Sequence, residues 1–397
     1  MKKRSILALL LAVVMLVSVM AACGGEPTPS TAPSAAPSAA PSAEPSTAPE
    51  QEPSQAPEQE LEHYKIGLVI WSTTNNWARG VIDALEYMGE ALNCEIVAVE
   101  GGTGGEEMLA AFENLCAAGC DAIIAQQGAG MGAKLAEMMT EYGVYFVNTC
   151  DDWSVDPNYQ TLLDCPYYVG GFYEDEYGTA YDLATKMGEQ GAEQFAILSM
   201  PEGTAASFDN RAAGAKAAIE DMGKELVSEA RGFNKAENAQ NIIAQYPDVD
   251  AILCSFDAVE TCVQPITAAG KTGEIMLSSC GTADGALEAL EDGNPIYICD
   301  GTRGDAMLSF ALLYDALTAG EAMTDGGAKA NQPVNYIIVS TPEDFTKMTE
   351  MITEEDYPFY MEELQQLIRR FNPEASLADY SAVATSYSLE DVVARHG

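Results

Sequence analysis

Between residues 65 and 340 the chain repeats one pattern: a short apolar run, a polar turn, then a longer stretch with apolar residues every third or fourth position. Lys65–Trp71, Glu95–Val99, Asp121–Gln126 and Val144–Asn148 are continuous apolar runs of the kind that form strands buried on both faces. Between them, Val81, Ile82, Leu85, Met88 and Leu92, then Met108, Leu109, Phe112, Leu115 and Cys116, then Leu135, Met138, Met139 and Tyr142 fall at helical spacing. The pattern restarts after Tyr168. A helix over Asp175–Gly188 precedes strands at Gln194–Met200, Glu225–Ala230, Asp250–Ser255, Ile275–Ser279 and Pro295–Cys299, with helical periods between them. A long helix over Gly304–Ala319 and a strand over Pro333–Ser340 complete the series. Strands separated by helices pair in parallel, because a helical crossover returns the chain to the same end of the sheet. The expectation is an α/β fold of two doubly wound parallel-sheet lobes with a hinge, an interlobe cleft and a C-terminal helical extension.

In open parallel sheets, ligands bind beyond the carboxyl ends of the strands. The first strand ends in Ser72, Thr73, Thr74, Asn75, Asn76 and Trp77. Amides can bond hydroxyls, and an indole can stack on a sugar ring or a base. Gln126 and Gln127 end the third strand, and Asp151 and Asp152 follow the fourth. Arg211 opens a helix of the second lobe, where a guanidinium suits hydroxyl, carboxylate or phosphate oxygens. Asp257 stands where it would also cap the next helix. Trp71 is assigned to the core. Gly101–Gly105 is glycine-rich but lacks the Lys-Ser/Thr of a nucleotide loop, and reads as a βα turn. The Asp151/Asp152 pair has no histidine, nucleophile or second carboxylate cluster beside it in sequence, so no enzyme is expected.

These phrases, in order and at their spacing, resemble the type I periplasmic sugar-binding proteins, the ribose- and galactose-binding kind, whose fold the core of the lac repressor shares. Asn75-Asn76-Trp77 stands where that family has Asn-Asn-Pro-Phe-type residues. Ala118-Gly119-Cys120-Asp121-Ala122-Ile123-Ile124, Arg211-Ala212-Ala213-Gly214, Tyr246-Pro247-Asp248-Val249-Asp250-Ala251-Ile252 and Ala286-Leu287-Glu288-Ala289-Leu290-Glu291-Asp292-Gly293 match further family phrases. The resemblance implies a cleft lined by Asn75, Asn76, Trp77, Gln127, Asp151, Asp152, Arg211, Phe256, Asp257 and Asp300. It departs from the family where Phe256 replaces a cleft asparagine, where Cys280 or Gly281 replaces an aspartate, and where Cys299 or Asp300 replaces a glutamine. Several hydroxyl-binding groups are thus absent, leaving a sugar derivative, a nucleoside or another small polar solute open beside a simple sugar. The family's three lobe crossings imply one lobe of residues 64–168 plus 301–330, a second of 169–300 plus 331–341, and an added segment, 342–397.

The first residues match export. Lys2, Lys3 and Arg4 precede an apolar run from Ile6 to Met20, and Met20-Ala21-Ala22-Cys23 resembles a bacterial lipobox. Residues 1–22 are read as a lipoprotein signal peptide and Cys23 as the acylated residue. Residues 23–60, rich in Pro, Ala, Ser and Glu, read as a semi-stiff tether. The formal net charge of -42 repels phosphate backbones, so nucleic-acid binding is not expected. Cys23 apart, nine of the ten cysteines remain, an odd number, with His63 and His396 the only histidines. Most of these thiols read as small buried hydrophobes, with no metal site and no implied pairing.

Together these readings imply a monomeric extracytoplasmic lipoprotein, held on the outer face of the cytoplasmic membrane through Cys23, without a cofactor. It would bind a small solute, a carbohydrate foremost, and pass it to an ABC permease. The alternatives are a ligand-sensing receptor for a membrane signalling partner, and nucleoside or autoinducer-2 binding in the same cleft. Truncating Trp77 or Arg211 is expected to remove ligand binding and leave the unliganded melting point nearly unchanged.

Overall fold

The structure, a computed structural model, describes residues 61–396 apart from 103, 127, 129, 354 and 355. The signal peptide, the tether, Cys23 and Gln127 lie outside the described residues. Two six-stranded sheets form the body. Strands β1 (Tyr64–Ile70), β2 (Cys94–Glu100), β3 (Ala122–Ala125), β4 (Tyr145–Cys150), β5 (Tyr168–Glu174) and β11 (Ala330–Val334) make the first, in the order β11-β5-β4-β3-β1-β2. Strands β6 (Gln194–Ser199), β7 (Glu225–Arg231), β8 (Ala251–Cys254), β9 (Met276–Cys280), β10 (Ile296–Asp300) and β12 (Ile337–Val339) make the second, in the order β12-β10-β9-β8-β6-β7. Every pairing is parallel except β10 with β12. Apolar side chains on both faces of β1, β3 and β8 are buried, which is why these strands read as unbroken apolar runs.

The helices of the first lobe are α1 (Asn76–Ala91), α2 (Gly105–Ala117), α3 (Gly132–Tyr142) and α4 (Tyr159–Asp164). Those of the second are α5 (Glu176–Glu189), α6 (Ala206–Asp221), α7 (Lys235–Gln245), α8 (Gln264–Ala268) and α9 (Ala286–Glu291). Helix α10 (Arg303–Ala319) returns to the first sheet and packs on β4, β5 and α1. Its residues Gly304 to Ala316 are all buried, so it is a core helix with no solvent stripe.

Two boundaries differ from the sequence expectation. The first lobe was expected to close at residue 168, yet Tyr168–Glu174 runs beside β4, so the first sheet continues to Glu174. Gly170 and Gly171 hide this strand in the sequence, because glycine weakens a strand signal. Their small size is needed: a Cβ on Gly171 would sit 2.2 Å from Asn148 Oδ1, and one on Gly170 2.2 Å from the Ala330 carbonyl oxygen. The final strand was expected to be one run in the second lobe. It is two, with Ala330–Val334 in the first sheet and Ile337–Val339 in the second. Asn335 and Tyr336 carry the chain between the lobes.

The C-terminal segment forms α11 (Pro342–Met348), α12 (Met361–Gln365), α13 (Leu377–Ser386) and α14 (Leu389–His396). It touches both lobes. Helix α11 packs on α9 and β12, while Tyr357 stacks on Tyr87 of α1 at 4.3 Å. Arg369 grips the fully buried Asp315 of α10 through Nε and Nη2 at 2.9 and 2.7 Å. The Tyr387 hydroxyl donates to the Gly301 carbonyl at the crossing that follows β10. Phe345, Met348, Ile352, Leu364, Leu367 and Ile368 are all buried.

Candidate functional site

Arg211 sits in the first turns of α6. Its Nε and Nη2 donate to the two carboxylate oxygens of Glu176 at 2.5 and 2.6 Å. Nη1 donates to the Ser255 carbonyl just past β8 at 2.8 Å, and Nη2 reaches the Tyr336 hydroxyl at 2.8 Å. A planar fork fixed by a bidentate carboxylate and two further oxygens cannot swing. The three partners come from the first lobe crossing, the end of a second-sheet strand and the last crossing. They place the guanidinium where the lobes join.

The first sheet answers with Asp151, directly after β4. Burial pushes its carboxyl up to about 7, helped by the nearby Glu176 carboxylate and opposed by Arg211. Asp151 of one lobe and Arg211 of the other are therefore electrostatic neighbours. Two further acids lie behind them. Burial raises the Glu174 carboxyl well above its ordinary range, and Asp305 and Glu176 add to this. Asp305, in the first turn of α10, is raised to about 7 by burial, although the Cys150 and Ala306 N–H groups donate to it at 2.6 and 2.8 Å. Cys150 holds a left-handed backbone, φ 65°, which turns its N–H toward Asp305.

The remaining sequence candidates are placed as follows. Asn75 caps α1, accepting the Trp77 N–H at 2.9 Å, and both Asn75 and Asn76 are exposed. Trp77 is half-buried and packs against the core. Asp152 caps a 3-10 turn through the Ser154 N–H and hydroxyl, each at 2.8 Å. Phe256 is buried in the second-lobe core with Lys235 Nζ over its ring at 4.3 Å. Asp257 accepts the Glu260 N–H at 2.9 Å, while its Oδ2 is buried without a partner. Asp300 accepts from the Thr282 hydroxyl and from the Gly301 N–H. Among the described residues no hydrogen bond, ion pair or ring contact links Asn75, Asn76 or Trp77 to the second-lobe candidates.

Trp71 corrects the sequence reading. It was assigned to the core, but its side chain is 41% exposed at the carboxyl end of β1. Burial on both faces of β1 ends at Ile70, and the next side chain turns to solvent. Phe233, just past β7, is 70% exposed. Sequence reasoning also missed Glu176 and Tyr336. Each stands in an ordinary-looking element, 35 and 125 residues from Arg211, and no local period marks such pairs. All nine body cysteines are free; Cys94 and Cys280 are partly exposed and the other seven are buried. Cys280 and Cys299, paired in register on β9 and β10, hold their sulfurs 3.2 Å apart.

Two parallel-sheet lobes crossed three times, with polar groups gathered at the crossings, define a solute-binding fold. A family model for the periplasmic binding protein domain matches residues 66–322, and the chain belongs to that family. Among solved structures, an ABC transporter periplasmic solute-binding protein from Actinobacillus succinogenes 130z with bound D-allose is 17% identical. Its TM-score is 0.60, over 70% of this chain and 97% of that one. A periplasmic sugar-binding protein from Pseudomonas fluorescens is 10% identical with a TM-score of 0.66, over 83% and 99% of the two chains. A solute-binding protein from Bacillus halodurans C-125 with bound myo-inositol is 17% identical with a TM-score of 0.56, over 73% and 98%. At these identities the likeness is one of fold. No curated protein matches the chain. Among the described residues no helix is long and apolar enough to cross a membrane.

Proposed function

We propose that this chain is the extracytoplasmic receptor of an ABC importer, taking a small hydroxylated solute, a sugar or sugar derivative, between its two lobes. The observation that carries this reading is the fixed Arg211 fork at the lobe junction, with Asp151 of the opposite lobe in its field. A guanidinium held by four bonds keeps one Nη1 N–H for a ligand oxygen, already positioned and so at little ordering cost. Asn75, Asn76 and Trp77, with the exposed indole of Trp71 added, would meet the ligand from the first lobe. Asp152, Asp257 and Asp300 would line its rim. Binding favours the closed arrangement of the lobes, and the closed form docks on the permease. Acylation of Cys23 would hold the receptor at the membrane surface.

Support for the carbohydrate class comes from the family and from the ligands named in the similar structures, D-allose and myo-inositol. The test is a thermal-shift screen of the purified protein against aldoses, inositols, nucleosides and autoinducer-2. A ligand at 100 times its Kd adds about 2.7 kcal/mol. A sugar or inositol that raises Tm supports the reading. A shift with nucleosides alone moves the ligand class, and no shift with any of them overturns the reading. Labelling with an alkynyl fatty acid in the producing cell should mark the protein and fail on Cys23→Ser.

A further inference from the structure

Behind the Arg211 fork, buried acids outnumber buried bases. Glu176 consumes the guanidinium through a bidentate pair. Glu174 is 4% exposed and Asp305 is fully buried, and among the described residues no ion pair contains either. Glu174 Oε1 is buried with no hydrogen-bond partner at all. An uncompensated carboxylate in that position is costly, so it is expected to have a partner that protein atoms do not supply. Cys150, 6% exposed, completes the group. One oxygen of each acid and the Cys150 sulfur lie within 4.8 Å of one another.

We infer that Cys150, Glu174 and Asp305 form a binding site for one divalent cation of the zinc class. Three atoms at that spacing share a point no more than about 2.8 Å from each. Zinc takes sulfur at about 2.3 Å and carboxylate oxygen at about 2.1 Å, so small side-chain movements close the shell. A thiolate with two carboxylates is a borderline donor set, which favours zinc over the harder magnesium and calcium. On binding, the thiol proton and any proton that burial holds on the two carboxyls leave to solvent, and sulfur coordinates as thiolate.

The three ligands come from separate elements. Cys150 ends β4 and Glu174 ends β5, the last residue before the chain crosses to the second lobe. Asp305 lies in the first turn of α10, just after the chain returns. A cation here would tie the outgoing and returning crossings together beneath the cleft, and would supply the positive charge that the Glu174 oxygen lacks. The nine-cysteine pattern hides this, because the ligands are far apart in sequence and no histidine marks them.

The test uses the full chain, stripped with a chelator and titrated with Co2+ alone. Uptake of about one equivalent is expected, with a sulfur-to-cobalt charge-transfer band in the near ultraviolet that Zn2+ abolishes. Cys150→Ser should lose the band, and Glu174→Gln should weaken Zn2+ binding by at least about tenfold while keeping it. No uptake would mean that protons alone compensate the acids, and would overturn the proposal. A band that survives in Cys150→Ser would place the metal elsewhere, with the Cys280/Cys299 sulfur pair the competing thiol donor, and would equally overturn it. If Cys150→Ser does not fold, Glu174→Gln decides: unchanged affinity there rules the site out.

Discussion

The two lobes bring different chemistry to the space where they meet. The second lobe presents a charge already spoken for: Arg211, its side chain 15% exposed, bonded to Glu176, Ser255 and Tyr336. The first presents less tightly held groups: Asn76 exposed at a helix start capped by Asn75, Trp71 41% exposed, Trp77 half-buried. On the proposed reading, one side is organised before ligand arrives and the other adapts to it. Preorganisation lowers the ordering cost of binding. If Arg211 also meets the ligand as proposed, stability and recognition fall on the same residue, so the two jaws should answer mutation differently.

The largest effect is expected from Arg211→Ala. It leaves the Glu176 carboxylate buried and unpaired, a loss of about 3–5 kcal/mol in unfolding free energy. The bidentate pair thus reverses the sequence-based expectation of an unchanged melting point for Arg211. Thermal melting of the unliganded protein checks it, and a variant melting with the wild type would mean that the second jaw is as loosely held as the first. A double change, Arg211→Met with Glu176→Met, comes next. Replacing both partners by apolar groups should return stability to within about 1 kcal/mol of wild type. The ligand-induced shift should stay absent, which separates the framework role of the pair from its recognition role.

That separation also marks how far the sequence could be read. Period and run length located the strands and helices, because burial on two faces writes itself into neighbouring residues. Arg211 was read as opening a helix, which in the structure begins earlier, at Ala206. The holders of Arg211 were not legible, since Glu176 reads as a helix start and Tyr336 as one residue of a strand. Strand β5 was missed because Gly170 and Gly171 serve close backbone packing against Asn148 and Ala330, which costs the strand its apolar signature. Trp71 was misassigned because the point where a buried run reaches solvent depends on the tertiary edge of the sheet.

On the first jaw the effects are smaller and fall on binding. Trp71→Ala should leave stability within about 0.5 kcal/mol, as exposed positions do. Trp77→Ala, half-buried, should cost about 1 kcal/mol of stability. If the indoles stack on the ligand, each loses about 1 kcal/mol of affinity, near a fivefold rise in Kd measured by calorimetry. A Trp71→Ala protein with unchanged Kd would remove that indole from the site and leave Trp77 as the stacking candidate of the first lobe.

The smallest effect asks whether every charge of the second jaw is held as Arg211 is. Asp257 is the counterexample within that jaw: its Oδ1 accepts the Glu260 N–H, but its Oδ2 is buried without a partner. Burial raises its carboxyl above the ordinary value, with the Glu260 N–H opposing. A folded-state value above the unfolded one means that ionisation costs more in the fold than out of it. Stability is therefore lost as pH climbs from the unfolded value through the folded one, and below the unfolded value the acid is neutral in both states and makes no difference. Asp257→Asn keeps an oxygen for the Glu260 N–H and cannot ionise. Its Tm should exceed the wild type by about 1–2 °C at neutral pH, and the gap should close as pH falls below the ordinary carboxyl range. A gap of equal size at every pH would trace the gain to shape and not to charge, and would make Asp257 as well compensated as Arg211.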